Sequence, residues 1–352
     1  MAVNILSDAD IADLIKGTQH HLGKNKFTSL MTDLQHHEAA KRIMTKDKVE
    51  IQGGDQIQRN IAVKNSGNAR QVGMFQTDDV SIPDLLQQIK APWKHTVTEW
   101  AWERREALIQ VGQNTVLSVL KLRRAGALVA QADHMETQFW SKPASSSNEL
   151  DVFGVPYWVV SDTTTAAGAF NGGNPSGFSS GAGGLDSSTY TRWKNYTFNY
   201  SAMTDQDALA KMRRCYRKTN FKSPIDVNDY RKGNGSAMRI YMDETTLDDY
   251  ESLVRKQNDN LGNDAAKYQD ETVFKRTPVV WVPYLDDNSS ETNPIYFLNF
   301  NNFHPIFLKG DVLRETEPEK APGQHNVFVV YVDTTWNLLC TDRRAQAIGT
   351  KV

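Results

Sequence analysis

The segment Asn171-Gly172-Gly173-Asn174-Pro175-Ser176-Gly177 has the glycine density of a phosphate-binding loop. A Walker loop needs Gly-Lys followed by Ser or Thr, because the lysine meets the phosphates. That ending is missing, as is the strand–glycine–helix fingerprint of dinucleotide binding. The segment reads as a flexible surface loop. Histidines occur as His20-His21 and His36-His37, with His95, His134, His304 and His325 scattered. Adjacent residues of a helix point in different directions, so neither pair forms a zinc ligand set. The two thiols are Cys215 and Cys340. Cys215 falls on the apolar face of a helical segment, which suits an inert core thiol. The chain is read as lacking a nucleophile elbow. Asp243, Glu244, Asp248 and Asp249 read as a helix start favoured by the helix dipole. No catalytic constellation emerges, so neither an enzyme nor a metal or cofactor is expected.

The elements around these residues say more. The chain has 352 residues, 39% hydrophobic and 23% charged, in the range of folded globular proteins. A net charge of −2 argues against a dedicated nucleic-acid binder, though not against a protein that encloses DNA. The N-terminus lacks a signal-peptide pattern and no run of about 18 apolar residues occurs, so synthesis in a cytoplasm is expected. Residues 4–47 read as an interrupted helix. His20 to Lys48 is locally basic, with Lys24, Lys26, Lys41 and Arg42 among its cations. A solvated face and a DNA-facing arm both fit that run.

Period-two alternation at Ile57–Lys64 and again at Trp93–Trp102 predicts strands with two distinct faces. Turn residues lie between them, so residues 48–104 read as a long two-stranded excursion. An isolated hairpin is barely stable in water, and a neighbouring subunit is a natural support. Residues 105–140 carry the strongest helical stripe: Leu108, Val111, Val119, Leu122, Ala125, Leu128, Val129, Ala132, Met135 and Phe139. Such a helix would span roughly 50 Å. Tyr157–Val160 reads as a short strand, and residues 168–184 as a glycine-rich loop. Thr204 with Asp207 forms a capping box before a helix. Met238–Met242, Val279–Val282 and Ile295–Phe300 read as strands, and Asp243 caps a further helix. Val327–Cys340 reads as a long β stretch split near Asp333-Thr334. The fold class is α+β.

This order of elements resembles the capsid fold of tailed bacteriophages, the HK97-like fold. Local segments add to the likeness: Ala91-Pro92-Trp93-Lys94-His95, Glu103-Arg104-Arg105-Glu106, Phe139-Trp140-Ser141-Lys142-Pro143, Gly154-Val155-Pro156-Tyr157-Trp158, Gln257–Asp264, Ala321–His325 and Asp333–Arg344. The resemblance implies a major capsid protein that self-assembles as hexamers and pentamers into an icosahedral head around double-stranded DNA. It implies an N-terminal arm (1–47), an extended loop (48–104), a peripheral domain with a spine helix (105–150), an axial domain (151–312) and a return to the peripheral domain (313–352). Arg59, Ile61, Arg70, Met74, Phe75, Trp93, Trp100 and Trp102 would make subunit contacts from the extended loop, the tryptophans anchoring its base. Packing of those tryptophans within their own subunit is equally open. Lys24, Lys26, Lys41 and Arg42 would face DNA. The implied partners are other copies of the chain, a portal protein, a separate scaffolding protein and a decoration protein, in a virion assembled in the bacterial cytoplasm. The arm is too short for a built-in scaffolding domain. An encapsulin-like nanocompartment and a soluble α+β enzyme are the competing readings.

Overall fold

The computed structural model describes residues 37–45, 48–63, 67–74, 85–109, 119–164, 167–220, 237–257, 272–286 and 291–352. In chain order, α1 (Glu38–Thr45) leads to β1 (Val49–Ile51), then β2 (Gln56–Ala62), β3 (Leu86–Pro92), β4 (Lys94–Glu103), α2 (Arg104–Ile109) and α3 (Val119–Trp140). The middle holds α4 (Val155–Trp158), β5 (Ala169–Gly172), β6 (Asn195–Tyr200), α5 (Ala210–Thr219), β7 (Met238–Met242), α6 (Glu244–Gln257), β8 (Thr272–Phe274), β9 (Thr277–Trp281), α7 (Pro283–Asp286) and β10 (Ile295–Asn299). The end holds β11 (Phe303–Leu308), β12 (Arg314–Glu315), β13 (Glu319–Lys320), β14 (Val327–Cys340) and β15 (Ala347–Lys351).

A seven-stranded sheet runs β5-β6-β15-β10-β7-β9-β8. Its central strands are apolar at consecutive positions, and all five residues of β10 are buried. That pattern marks a sheet covered on both faces. Ile240, Met242, Ile295 and Phe297 pack under α5 and α6 with Met212, Cys215 and Tyr250. Tyr241, Tyr296 and Leu298 point the other way, into a core with Phe139 and Trp140. Trp140 makes edge contacts with Tyr241 at 5.2 Å and packs on Tyr296 at 5.7 Å. Burying each such side chain stabilises the fold by about 1.5–3 kcal/mol.

The second sheet has six strands arranged on β14. Sequence places a break at Asp333-Thr334, but β14 runs unbroken for 14 residues. What changes is its partner. β4 pairs along Val327–Trp336, β12 and β13 take the opposite edge, and β11 pairs along Trp336–Cys340. Polar residues at the change are satisfied by Gln131 of α3, whose Nε2 donates to Thr334 Oγ1 at 2.7 Å.

Several expectations meet corrections. The described part of the long helix, α3, is 22 residues, about 33 Å. A separate short α2 precedes it, and residues 110–118 lie outside the described residues. Leu108 is 65% exposed, and only Met135 and Phe139 of the predicted stripe are fully buried. The stripe was too even a reading: burial grows toward the C-terminal end, where α3 meets both sheets. Tyr157–Val160 is not a strand. Val155–Trp158 forms one helical turn with Pro156 in its first turn, where a missing N–H costs nothing. Its entry, Gly154, packs so tightly that a Cβ would sit 2.0 Å from the Ser141 carbonyl oxygen. The capping box is present, with Thr204 accepting from the Asp207 amide, although the helix opens as a π turn over Asp205–Leu209. Finally, the last strand does not stay with the layer of β14. β15 inserts between β6 and β10 at the middle of the seven-stranded sheet, while β11 already belongs to the six-stranded one.

Candidate assembly surface

The excursion is real, but its strands differ from those read in the sequence. Ile57 pairs with Ala91 and Ala62 with Leu86, so β2 pairs β3. β4 instead pairs with β14 from the far end of the chain. Both segments alternate with period two, and alternation names a strand without naming its partner. Trp100 and Trp102 therefore lie outside the hairpin. They stack on one another at 5.0 Å, and Trp102 stacks on Phe328 at 5.7 Å, within their own subunit. Trp93 does stand at the hairpin base, where its Nε1 donates to Gly54 O at 2.8 Å.

One face of the hairpin is seated. Ile57, Ile89 and Ala91 are buried, and Val63 nearly so. The seat is the glycine-rich segment. Lys90 N donates to Gly183 O at 3.0 Å. Gly183 has φ +65°, and a Cβ there would press on the Trp158 ring at 3.1 Å, so glycine is required twice over. Gly183 N donates to Tyr157 Oη, and Trp193 Nε1 to Ala182 O, both at 2.9 Å. Burial pushes the Tyr157 hydroxyl up to about 12. The segment expected to be a flexible surface loop is thus a packed support, with Phe178, Ala182 and Leu185 buried.

Beneath it lies Arg343, wholly buried in a short turn. Its Nε donates to Trp158 O at 2.7 Å, Nη1 to Trp193 O at 2.9 Å and Nη2 to Gly173 O at 2.7 Å. Burial pulls its guanidinium down to about 10. The rigid fork of donors ties three chain segments together with no carboxylate beside it among these acceptors. Sequence reasoning passed over this residue, because an arginine near a C-terminus gives no local signal of burial.

The other hairpin face carries Gln56, Gln58, Asn60, Gln88 and Lys90, all exposed. Arg59 is exposed and Ile61 half-buried. Residues 67–74 are exposed throughout, including Arg70, Val72 at 52% and Met74 at 90%. Phe75 lies outside the described residues, as do Lys24 and Lys26.

The arm docks on α3 through α1. Ala40 N and Ala39 N donate to the Glu136 carboxylate at 2.7 and 3.3 Å, and Trp140 Nε1 donates to it at 2.9 Å. Burial raises the Glu136 carboxyl above its ordinary value, and these donors oppose the rise. His37 Nε2 contacts Asp133 Oδ1. Lys41 is exposed, but Arg42 turns inward, its guanidinium 4.1 Å from the centre of the Phe300 ring. Arg42 is thus drawn from the set of surface cations by cation–π packing.

Catalytic chemistry finds no support in these positions. Gly177-Phe178-Ser179-Ser180-Gly181 spells the letters of a nucleophile elbow, a match the sequence reading overlooked. The structure gives it turns on both sides of an exposed Ser179, not the strand-to-helix bend the chemistry needs. His95 meets Thr335 Oγ1 at 2.7 Å, with Asp311 and Asp333 at 3.6 and 3.8 Å. Arg314 pairs with both aspartates at 3.1 and 2.9 Å, which makes an ion network on an open sheet face. Burial pushes both cysteine thiols up, disfavouring the thiolate. Among the described residues no group of three or more His, Cys, Asp or Glu is placed to hold a metal ion.

Comparison of the whole fold gives a consistent answer. No family model matches the sequence, and no curated protein matches it. Solved structures do. The capsid asymmetric unit of cyanophage A-1(L) is similar with a TM-score of 0.60 at 12% identity, covering 94% of this chain and 96% of that one. The capsid of a native GTA particle is similar with a TM-score of 0.58 at 13% identity, covering 99% and 100%. A capsid of Myoviridae phage XM1 is similar with a TM-score of 0.51 at 10% identity, covering 99% of each chain. The chain has the HK97-like capsid fold, mixed helix and strand, from end to end.

Proposed function

We propose that this chain is a major capsid protein, the repeating shell subunit of a tailed-phage head. Its copies assemble as hexamers and pentamers and close an icosahedral shell around double-stranded DNA. The observation that carries this reading is the two-way coverage: the fold of capsid subunits spans nearly all of this chain, and this chain spans nearly all of theirs. A second feature supports it. The hairpin buries one face on its own subunit and leaves the other face and the tip open, with Val72 and Met74 in solvent. Apolar side chains held out on a long excursion suit burial against another copy. The near-neutral charge fits a container that reads no base sequence. A portal protein and a separate scaffolding protein complete the reading as assembly partners, in a host cytoplasm.

Negative-stain electron microscopy of the chain, expressed alone and with its neighbouring genes, tests the proposal. Closed icosahedral particles or capsomer-sized rings are the expected result. A monodisperse monomer under both conditions would overturn it.

A further inference from the structure

The seven-stranded layer carries opposite charge on its two flanks. Helix α5 lies on the β5 side, where Arg214 Nη1 donates to Ala167 O at 2.8 Å, two residues before that strand. Arg214, Arg217 and Lys218 are exposed along it, and no ion pair engages them among the described residues. Helix α6 lies on the β8 side. Tyr250 Oη donates to Val273 O at 3.3 Å, and Thr272 Oγ1 to Glu251 Oε1 at 2.7 Å. Its outer face exposes Glu244, Asp248 and Asp249, again without an ion pair among the described residues. β5 and β8 are the outermost strands of the sheet, so the two charged rows face apart.

The helix dipole accounts for Glu244 in the first turn of α6 and for Arg217 and Lys218 in the last turn of α5. It does not account for Asp248 and Asp249, which stand beyond the first turn, where that field has faded. A second feature lies beside the acidic row. A cleft of about 280 Å³ at the start of α6 is lined by Asp243, Glu244, Asp286 and Glu291. Asp243 Oδ2 accepts from Thr246 N at 3.3 Å and Asn293 Nδ2 at 3.1 Å. Its other oxygen, Oδ1, is buried and has no donor among the described residues, in a residue only 5% exposed. A buried carboxylate oxygen without a donor is a standing cost, and a cation entering the cleft removes it.

We propose that a second copy of this chain supplies that cation: the Arg214, Arg217 and Lys218 row of one copy docks head to tail on the Glu244, Asp248 and Asp249 row of the next. Two different patches on opposite flanks are what a closed ring of identical subunits requires. Complementary charge sets the order of copies and speeds their encounter. The inference rests on the shell reading and names the surfaces that would join neighbours within a capsomer.

Charge reversal with rescue tests it in the full chain. Asp248→Lys with Asp249→Lys is compared with Arg217→Glu plus Lys218→Glu, and with all four together. The readout is the assembled fraction by sedimentation velocity, with thermal melts to establish that each variant is folded. Each double reversal is expected to lower the assembled fraction at least about tenfold, since like charges then meet. The fourfold variant, mixed with itself, is expected to recover most of it. Two results would overturn the inference: double reversals that assemble as wild type does, or folded reversals that the fourfold combination does not rescue. A wild-type chain that never assembles defeats the shell reading itself, and this inference with it.

Discussion

The β10–β15 seam and the β2–β3 hairpin are both ladders of paired strands, yet they treat their faces in opposite ways. Every residue of β10 is buried, and β15 exposes only its last residues. The hairpin buries Ile57, Ile89 and Ala91 on one side and shows amide and charged side chains on the other. The seam is finished within one chain. The hairpin is half finished, and its open face and tip are where another copy can act. Folding information and assembly information thus sit in different strands. Changes in the seam should move stability, and changes in the hairpin should move association.

The largest effect is expected at Arg343. Arg343→Met leaves the carbonyls of Trp158, Trp193 and Gly173 without their donor. A loss of about 3–5 kcal/mol is expected, as for breaking a buried charged contact, read from urea unfolding. Assembly should fail only because folded subunit is scarce. Folded, stable Arg343→Met that does not assemble would break the separation.

Glu136 gives a smaller, pH-dependent effect. Its folded carboxyl titrates above its ordinary value because it is buried, so the folded state holds its proton more tightly than the unfolded state. Stability from this group is therefore highest at low pH and falls as pH rises from the ordinary carboxylate range through the raised value. Glu136→Gln should flatten that part of the stability–pH curve. A curve unchanged in shape would remove Glu136 from the account of how the arm docks.

Trp93→Phe is the mildest change. It removes the indole bond to Gly54 O at a cost of about 1 kcal/mol. Amide exchange should quicken at Gln56–Gln58 and at Ala91, while the melting of the seam stays in place. Equal quickening across β10 would merge the two regions into one cooperative unit.

The order of elements was legible in the sequence because long-range order needs only local patterns. The strands Met238–Met242 and Ile295–Asn299 announce themselves by apolar runs, and Thr204 with Asp207 announces a helix start. Pairing was not legible. Trp100 alternates as Ile57 does, yet its partner is Val330, 230 residues away. The seat of the hairpin was missed for a related reason. Glycines at 168–184 signal backbone freedom, whereas Gly183 uses that freedom to bring Trp158, Ile89 and Lys90 together. Of the candidate contact residues, Arg70 and Met74 stand exposed at the tip, Trp93 closes the base, and Trp100 and Trp102 belong to the six-stranded sheet.

The most direct test shortens the hairpin. Residues 64–84 are replaced by Asn-Gly, a pair suited to a two-residue hairpin turn, between Val63 and Leu85, whose backbones already meet at 3.2 Å. Wild type and variant are then compared side by side by sedimentation velocity and thermal melting. The account predicts a variant that melts within about 1 kcal/mol of wild type, as expected for a change away from the core, and sediments as a folded subunit that closes no shells. Normal shells from the shortened chain would contradict it.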